Sequence, residues 1–362
     1  MGIDRRTFLG LGAAALMVPS RVLGAGAEAL YVTARLRGAH HEVVVLDADG
    51  RDRLVETMPD RGHSFALDGQ RLTVFGRQPG FFALSVDLQG RRPPQAIAAA
   101  EGRHFFGHGV YLPGGQLMMA TENDYEAGRG VLGIYDVSGV PRRIGEFDTG
   151  GIGPHEVILM PDGKTLCVAN GGILTHPDYG KLELNLDSMR PSLAYLDAAS
   201  GDLLERVELA PAWHRLSIRH LALAADGAVW FGCQHMGPAS ERPALVGRHR
   251  RGQEAQLFEG SAEALRGMRN YVGSVAADAR GEVIATSSPV GGQVLYWEAA
   301  SGRLLGTTSL ADGCGVAPAG PGAFLVSSGL GNMVRTGPQQ PMQSLHEAGS
   351  GQAWDNHFRR LS

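Results

Sequence analysis

The chain has 362 residues, 43% of them hydrophobic and 19% charged, with a formal net charge of −4. That is an ordinary globular composition, long enough for a large buried core. Of its basic residues 31 are Arg and two are Lys (Lys164 and Lys181), with no basic run able to track phosphates, so nucleic acid is excluded as an expected partner.

The N-terminus reads Asp4-Arg5-Arg6-Thr7-Phe8-Leu9, which resembles the twin-arginine export motif. An apolar stretch from Leu9 to Val18 follows, and then Ala25-Gly26-Ala27 in an A-x-A cleavage pattern. The apolar stretch is too short to span a bilayer as a helix, which needs about 20 residues. Residues 1–27 are therefore expected to be a twin-arginine signal peptide, and 28–362 a single exported, periplasmic domain. No later segment reaches membrane-spanning length. Export in the folded state is compatible with a cofactor already seated.

From there one unit recurs along the chain. It consists of a short apolar strand, a Gly turn, a second strand, a variable loop, a third strand ending in an acidic residue, and another Gly turn. The first two strands read HSFALDGQRLTVFG from His63, HGVYLPGGQLMMAT from His108 and HEVILMPDGKTLCVAN from His155. They continue as HLALAADGAVWFGCQ from His220, SVAADARGEVIATSS from Ser274 and CGVAPAGPGAFLVSS from Cys314. Third strands end at Asp47, Asp87, Asp136, Asp197 and Glu298, acids read as turn formers because such side chains bond nearby backbone amides. Successive starts, counted on to His357, lie 45, 47, 65, 54, 40 and 43 residues apart, the spacing of four-stranded propeller blades. The 52 glycines punctuate this pattern as turn residues.

The C-terminal segment Trp354–Leu361 reads as a lone first strand, and ALYVTAR (Ala29–Arg35) as a second strand without its first. Pairing them completes a seventh blade and leaves no exposed sheet edge. The expected fold is an all-β, seven-bladed β-propeller, closed by pairing the C-terminal strand with the N-terminal blade. The long unit from 155 to 220 is the least regular and leaves six or eight blades as alternatives.

The stretch Gly153-Pro154-His155 through Asn170-Gly171-Gly172, with Ala194–Asp197 and Ser200-Gly201, resembles the YVTN-type propeller repeat. Together with the signal and the terminal Trp354-Asp355-Asn356-His357, the chain resembles the DUF1513 family of exported bacterial propellers over essentially its mature length. The resemblance carries no activity. It implies a periplasmic protein associated with iron-related gene neighbourhoods.

In a propeller the first strand of each blade lines the central channel. Its start shares a face with the loop between the second and third strands. The seven equivalent starting positions hold His63, His108, His155, His220, Ser274, Cys314 and His357, five of the chain's 13 histidines. Neutral imidazole is the commonest transition-metal ligand, and a thiolate adds soft character. His63, His108, His155, His220, Cys314 and His357 are accordingly candidate metal ligands, for iron or copper first and zinc third. Loop residues expected on the same face are His40, His41, Glu122, Asn123, His176 and His235. Histidines that satisfy backbone carbonyls and channel water, or a catalytic histidine without metal, are the competing readings. His104, His214, His249 and His346 fall outside the pattern and are expected at the surface. Cys167 and Cys233 are expected as buried free thiols rather than a disulfide.

These readings make a monomeric periplasmic binding protein the first expectation. Its ligand would be a metal or small molecule in the central channel, with a periplasmic protein partner as a further candidate and a role in iron acquisition or handling. A lactonase-like hydrolase using His155 and Glu122 in general-base roles is the second hypothesis, and an interaction scaffold without metal the third.

Overall fold

The structure, a computed structural model, describes residues 29–361 apart from 181 and 350. The segment read as a signal peptide lies outside the described residues. Within them the chain forms seven four-stranded antiparallel sheets arranged as a seven-bladed β-propeller. Each sheet is one blade, and each blade's innermost strand packs against the innermost strands of its neighbours. These inner strands are β4 (Gly62–Leu67), β8 (Arg103–Tyr111), β12 (Pro154–Leu159), β16 (Leu216–Leu223), β20 (Ser274–Ala277), β24 (Gly313–Gly320) and β28 (Gln352–Arg360).

Closure follows the expected route. The C-terminal β28 pairs antiparallel with the N-terminal β1 (Leu30–Arg37), with Tyr31 opposite Arg360 and Thr33 opposite Phe358. Tyr31 and Phe358 pack with their rings tilted, 5.7 Å between centroids, and Trp354 donates its indole N–H to Gly331 O at 3.0 Å. The sheet built from both ends of the chain is therefore packed by aromatic side chains drawn from both ends.

Strands in the middle of each blade are covered on both sides by neighbouring blades, so they read as unbroken apolar runs. In β2 (His40–Asp47) the run Val43–Leu46 is wholly buried. Outer strands face water on one side and alternate, as in β15 (Leu203–Glu208). The acids that end the third strands do form turns. Asp47 Oδ1 accepts from the amides of Asp49 and Arg51, and Asp197 Oδ1 from those of Ala199 and Ser200. Cys167 and Cys233 are free and fully buried.

Two insertions reach the channel mouth. The long 155–220 unit is one blade, its extra length lying between β13 (Thr165–Asn170) and β14 (Ser192–Asp197). This loop is pinned by Asn185, whose Oδ1 accepts from Leu174 N at 2.7 Å and whose Nδ2 donates to Gly172 O at 2.9 Å. The second insertion is a short helix, α1 (Ala262–Met268), N-capped by Ser261 Oγ on Ala264 N. It ends in two left-handed residues, Arg269 (φ 48) and Asn270 (φ 61), which turn the chain back over the channel toward Tyr271. No helix among the described residues is long and apolar enough to cross a membrane.

Candidate metal centre

The five histidines are not at their strand starts in every blade. His108, His220 and His357 lie well inside β8, β16 and β28, whereas His63 and His155 are each second in β4 and β12. What the positions share is a break in register. On β4 the pairing skips between Gly62 and Phe65, on β8 between Phe105 and Gly109, and on β12 between Pro154 and Glu156. On β16 it skips between Ile218 and His220, and on β28 it jumps from Trp354 to Phe358. A β-bulge bends its strand and re-aims a side chain, and here it aims imidazoles at the channel axis. The carbonyls freed by two of these bulges are bonded by hydroxyls of the next strand. Thr121 Oγ1 donates to His108 O at 3.1 Å, and Thr33 Oγ1 to His357 O at 2.9 Å.

The result is a packed group of five rings from five consecutive blades. His108 lies 5.1 Å from His63, 5.2 Å from His155, 5.9 Å from His220 and 4.6 Å from His357 between ring centroids. His63 and His357 face each other Nε2 to Nε2 at 3.3 Å. His63, His108 and His155 bring one ring nitrogen each to within 4.8 Å of one another, and so do His108, His220 and His357. Ligating nitrogens on a tetrahedral ion with bonds near 2.1 Å stand roughly 3.4 Å apart. Small ring rotations would close either trio, and His108 belongs to both.

The electrostatics keep the rings neutral. Burial pushes the His108 pKa down to about 3, with Glu156 opposing and His220 and Arg359 reinforcing the shift. His63, His155 and His357 are held well below the ordinary histidine value, chiefly by burial and then by one another. A neutral imidazole carries the lone pair that a metal needs. His63 Nδ1, His108 Nε2, His155 Nε2 and His220 Nδ1 are buried without any hydrogen-bond partner. Orphaned buried polar atoms cost about 1–3 kcal/mol each, so four in one cluster fit a group that binds a cation.

A buried carboxylate supports the cluster. Glu156 Oε1 lies 3.7 Å from His108 Nδ1, and its Oε2 3.4 Å from His220 Nδ1. Oε2 also accepts from Leu221 N at 3.0 Å, and Arg359 pairs with Oε1. Burial works to raise the Glu156 pKa, but Arg359 and the two histidines outweigh it and hold the carboxyl well below its usual range. A carboxylate behind an imidazole fixes its tautomer and raises its basicity, the usual support of a metal-bound histidine. The sequence reading missed Glu156. Its signal was an acid directly after His155 in a strand otherwise apolar, and likewise Arg359 two residues after His357.

Other expected residues are placed elsewhere. Cys314 does sit at a register break, but its thiol points to the carbonyls of Trp354 and Asp355, at 3.7 and 3.3 Å. It joins neither histidine trio, and burial pushes its pKa up to about 12. Glu122 is not on the ligand face. It is fully buried inside its blade, bonded to Tyr135 Oη at 2.5 Å and Arg143 Nη2 at 2.9 Å, where it neutralises that arginine. His40 is exposed, and His41 lines a separate cavity of about 280 Å³ beside Cys314.

His176 and His235 do reach the cavity of about 580 Å³ at the channel mouth, which His63 and His155 also line. His235 is tied to Glu241 at 2.8 Å. Asn123 donates from Nδ2 to His104 Nε2 and to Thr175 O, each at 3.0 Å. His104 and His249 are buried, against the expectation of surface positions. His104 lines the mouth cavity, and His249 fills a space between blades, its ring bonded to Tyr195 Oη and Gln253 O at 2.8 Å each. His214 and His346 are partly exposed.

Fold and site together define a β-propeller with a histidine-lined hub. The chain belongs to the family described as "Protein of unknown function (DUF1513)", whose model matches residues 56–361. Comparison with proteins of curated function finds none similar. Among solved structures the hydrazine synthase of Kuenenia stuttgartiensis shares the architecture, with a TM-score of 0.60 and 15% identity over 79% of this chain and 86% of that one. At that identity the likeness is one of fold. Because 1151 solved chains match, shape alone selects no activity, and function must be argued from the site.

Proposed function

We propose that this protein is a periplasmic propeller that binds a transition metal through its hub histidines and serves in acquiring or handling iron. The observation that carries the metal reading is the pair of trios sharing His108, with four orphaned ring nitrogens among neutral imidazoles. An all-imidazole donor set suits iron, copper and zinc, and without a thiolate the preference for soft ions weakens. The periplasmic address rests on the twin-arginine segment and the A-x-A pattern at Ala25–Ala27. The link to iron rests on the family resemblance.

Elemental analysis tests this on protein exported through its own signal and purified without a tag or chelator. Stoichiometric iron, copper or zinc that disappears in His108→Ala supports the reading. Metal-free protein that also takes up none of these ions after dialysis against them overturns it.

A further inference from the structure

We propose that the mouth cavity is a binding site for a small di- or tricarboxylate, held by Arg219 together with Arg77 directly over the histidine hub.

Arg219 is the residue immediately before His220, displaced by the bulge on β16, and it lines the cavity. Among the described residues no carboxylate pairs with it. Its side-chain hydrogen bond, from Nε to Ser217 Oγ, is 3.4 Å long. A half-buried guanidinium in a cavity wall with no paired carboxylate is a ready partner for an anion.

The charge balance around it points the same way. Arg77 and Arg61 share a single carboxylate, that of Asp355, and Arg77 reaches it at only 3.2 Å. Among the described residues Arg77, Arg219 and Arg269 line the cavity against Glu183 alone. A positive cavity in a chain of net charge −4 concentrates anions, and it would repel a bare metal cation.

Carboxylate fits better than phosphate. The forked guanidinium matches a planar carboxylate bidentately. The neutral polar lining includes Gln78, Ser217, Gln234, Asn270, Tyr271 and Asn356, groups suited to a second carboxyl or a hydroxyl. A volume of about 580 Å³ exceeds what a single phosphate fills. That the carboxylate would also complete the coordination of a hub metal is a consequence resting on the metal reading; the anion site itself does not.

Calorimetry on the full exported protein, stripped with EDTA, tests the site with oxalate, citrate and phosphate. Saturable binding of oxalate or citrate, weakened at least tenfold in Arg219→Gln and partly kept in Arg219→Lys, is expected. Circular dichroism melts of both variants identify a fold lost through substitution, and Arg77→Gln supplies a second cavity variant with a weaker but measurable loss. No saturable carboxylate binding by the wild type, binding unchanged in Arg219→Gln, or binding of phosphate alone would each overturn the proposal. Cobalt uptake by the same samples separates the two ideas. Protein that takes up no cobalt yet binds oxalate through Arg219 retains the anion site and loses the metal reading.

Discussion

Glu156 and His108 stand on neighbouring inner strands, yet the carboxylate oxygen comes within 3.7 Å of the imidazole Nδ1 and the pair is fully enclosed. Blade-to-blade packing thus sets the orientation of the one ring common to both histidine trios. With Nδ1 turned to the carboxylate, Nε2 is the free donor atom, and it is the one left without a partner.

The shared ring predicts an asymmetry among histidine variants. His108→Ala removes a donor from both trios, whereas His155→Ala or His220→Ala leaves one trio complete. Metal content should therefore fall at least tenfold in His108→Ala and by less in the other two. Binding at 100-fold excess over Kd adds about 2.7 kcal/mol of stability. EDTA should then lower the Tm of the wild type and leave that of His108→Ala unmoved. Equal losses in all three variants would contradict the two-trio geometry.

Glu156→Gln keeps the shape of the side chain but strips Arg359 of its counter-charge. Metal affinity should drop about 10- to 100-fold, the usual penalty for losing a supporting carboxylate. Stability should fall by about 2 kcal/mol, the scale of a hydrogen bond to a charged group. Titration with a competing chelator reads the first effect and urea denaturation the second. Arg359→Met on top of Glu156→Gln should recover part of the stability without restoring the affinity, because the uncompensated guanidinium is then gone.

The metal-free protein should be acid-labile from unusually high pH. A buried histidine with a depressed pKa is neutral when folded, while its unfolded form takes up a proton below about pH 6.5. The unfolded state then binds more protons, so stability is complete above that pH and declines as pH falls toward the folded value, about 3 for His108. Each such histidine contributes about 1.4 kcal/mol per pH unit within the window. Glu156, with its pKa also lowered, adds loss in the same direction once pH drops below the ordinary carboxylate range. Urea midpoints between pH 7 and 5 in EDTA should fall steeply, and less steeply in His155→Gln.

The thiols should be silent in both redox and metal chemistry. Burial raises the pKa values of Cys167 and Cys314 to about 12, and Cys233 is pushed up likewise. A thiol reagent should label none of the three in the native state within the time it labels all three in denaturant. Cys314→Ser should retain its metal. Loss of metal in that variant would place the thiolate among the ligands after all.

Phe358 tests closure. It is buried against Tyr31 across the seam between the two ends of the chain. Phe358→Ala should cost about 3–5 kcal/mol. If the ring is cooperative, the loss appears as one lowered transition rather than a separate early melt of the closing blade.

The blade count, the closure and the five channel histidines were legible in the sequence, because each is a matter of chain-local periodicity. Strands bounded by Gly turns repeat at blade spacing, and His63, His108, His155, His220 and His357 recur at one phase of that repeat. What periodicity cannot supply is the direction of a side chain where the period breaks. The bulges on the inner strands aim the imidazoles inward, while at the equivalent break Cys314 turns to the backbone of Trp354 and Asp355. Likewise Glu122, expected in a loop at the channel face, lies within a strand and turns inside its blade to meet Arg143. Glu156, Arg359, Arg219 and Arg77 come from three inner strands and a loop far apart in sequence, and only ring closure brings them around one axis. The repeat determined which residue types could meet at the hub. Packing between blades decided which did, because burying a charge demands a partner, and that partner sits on another blade.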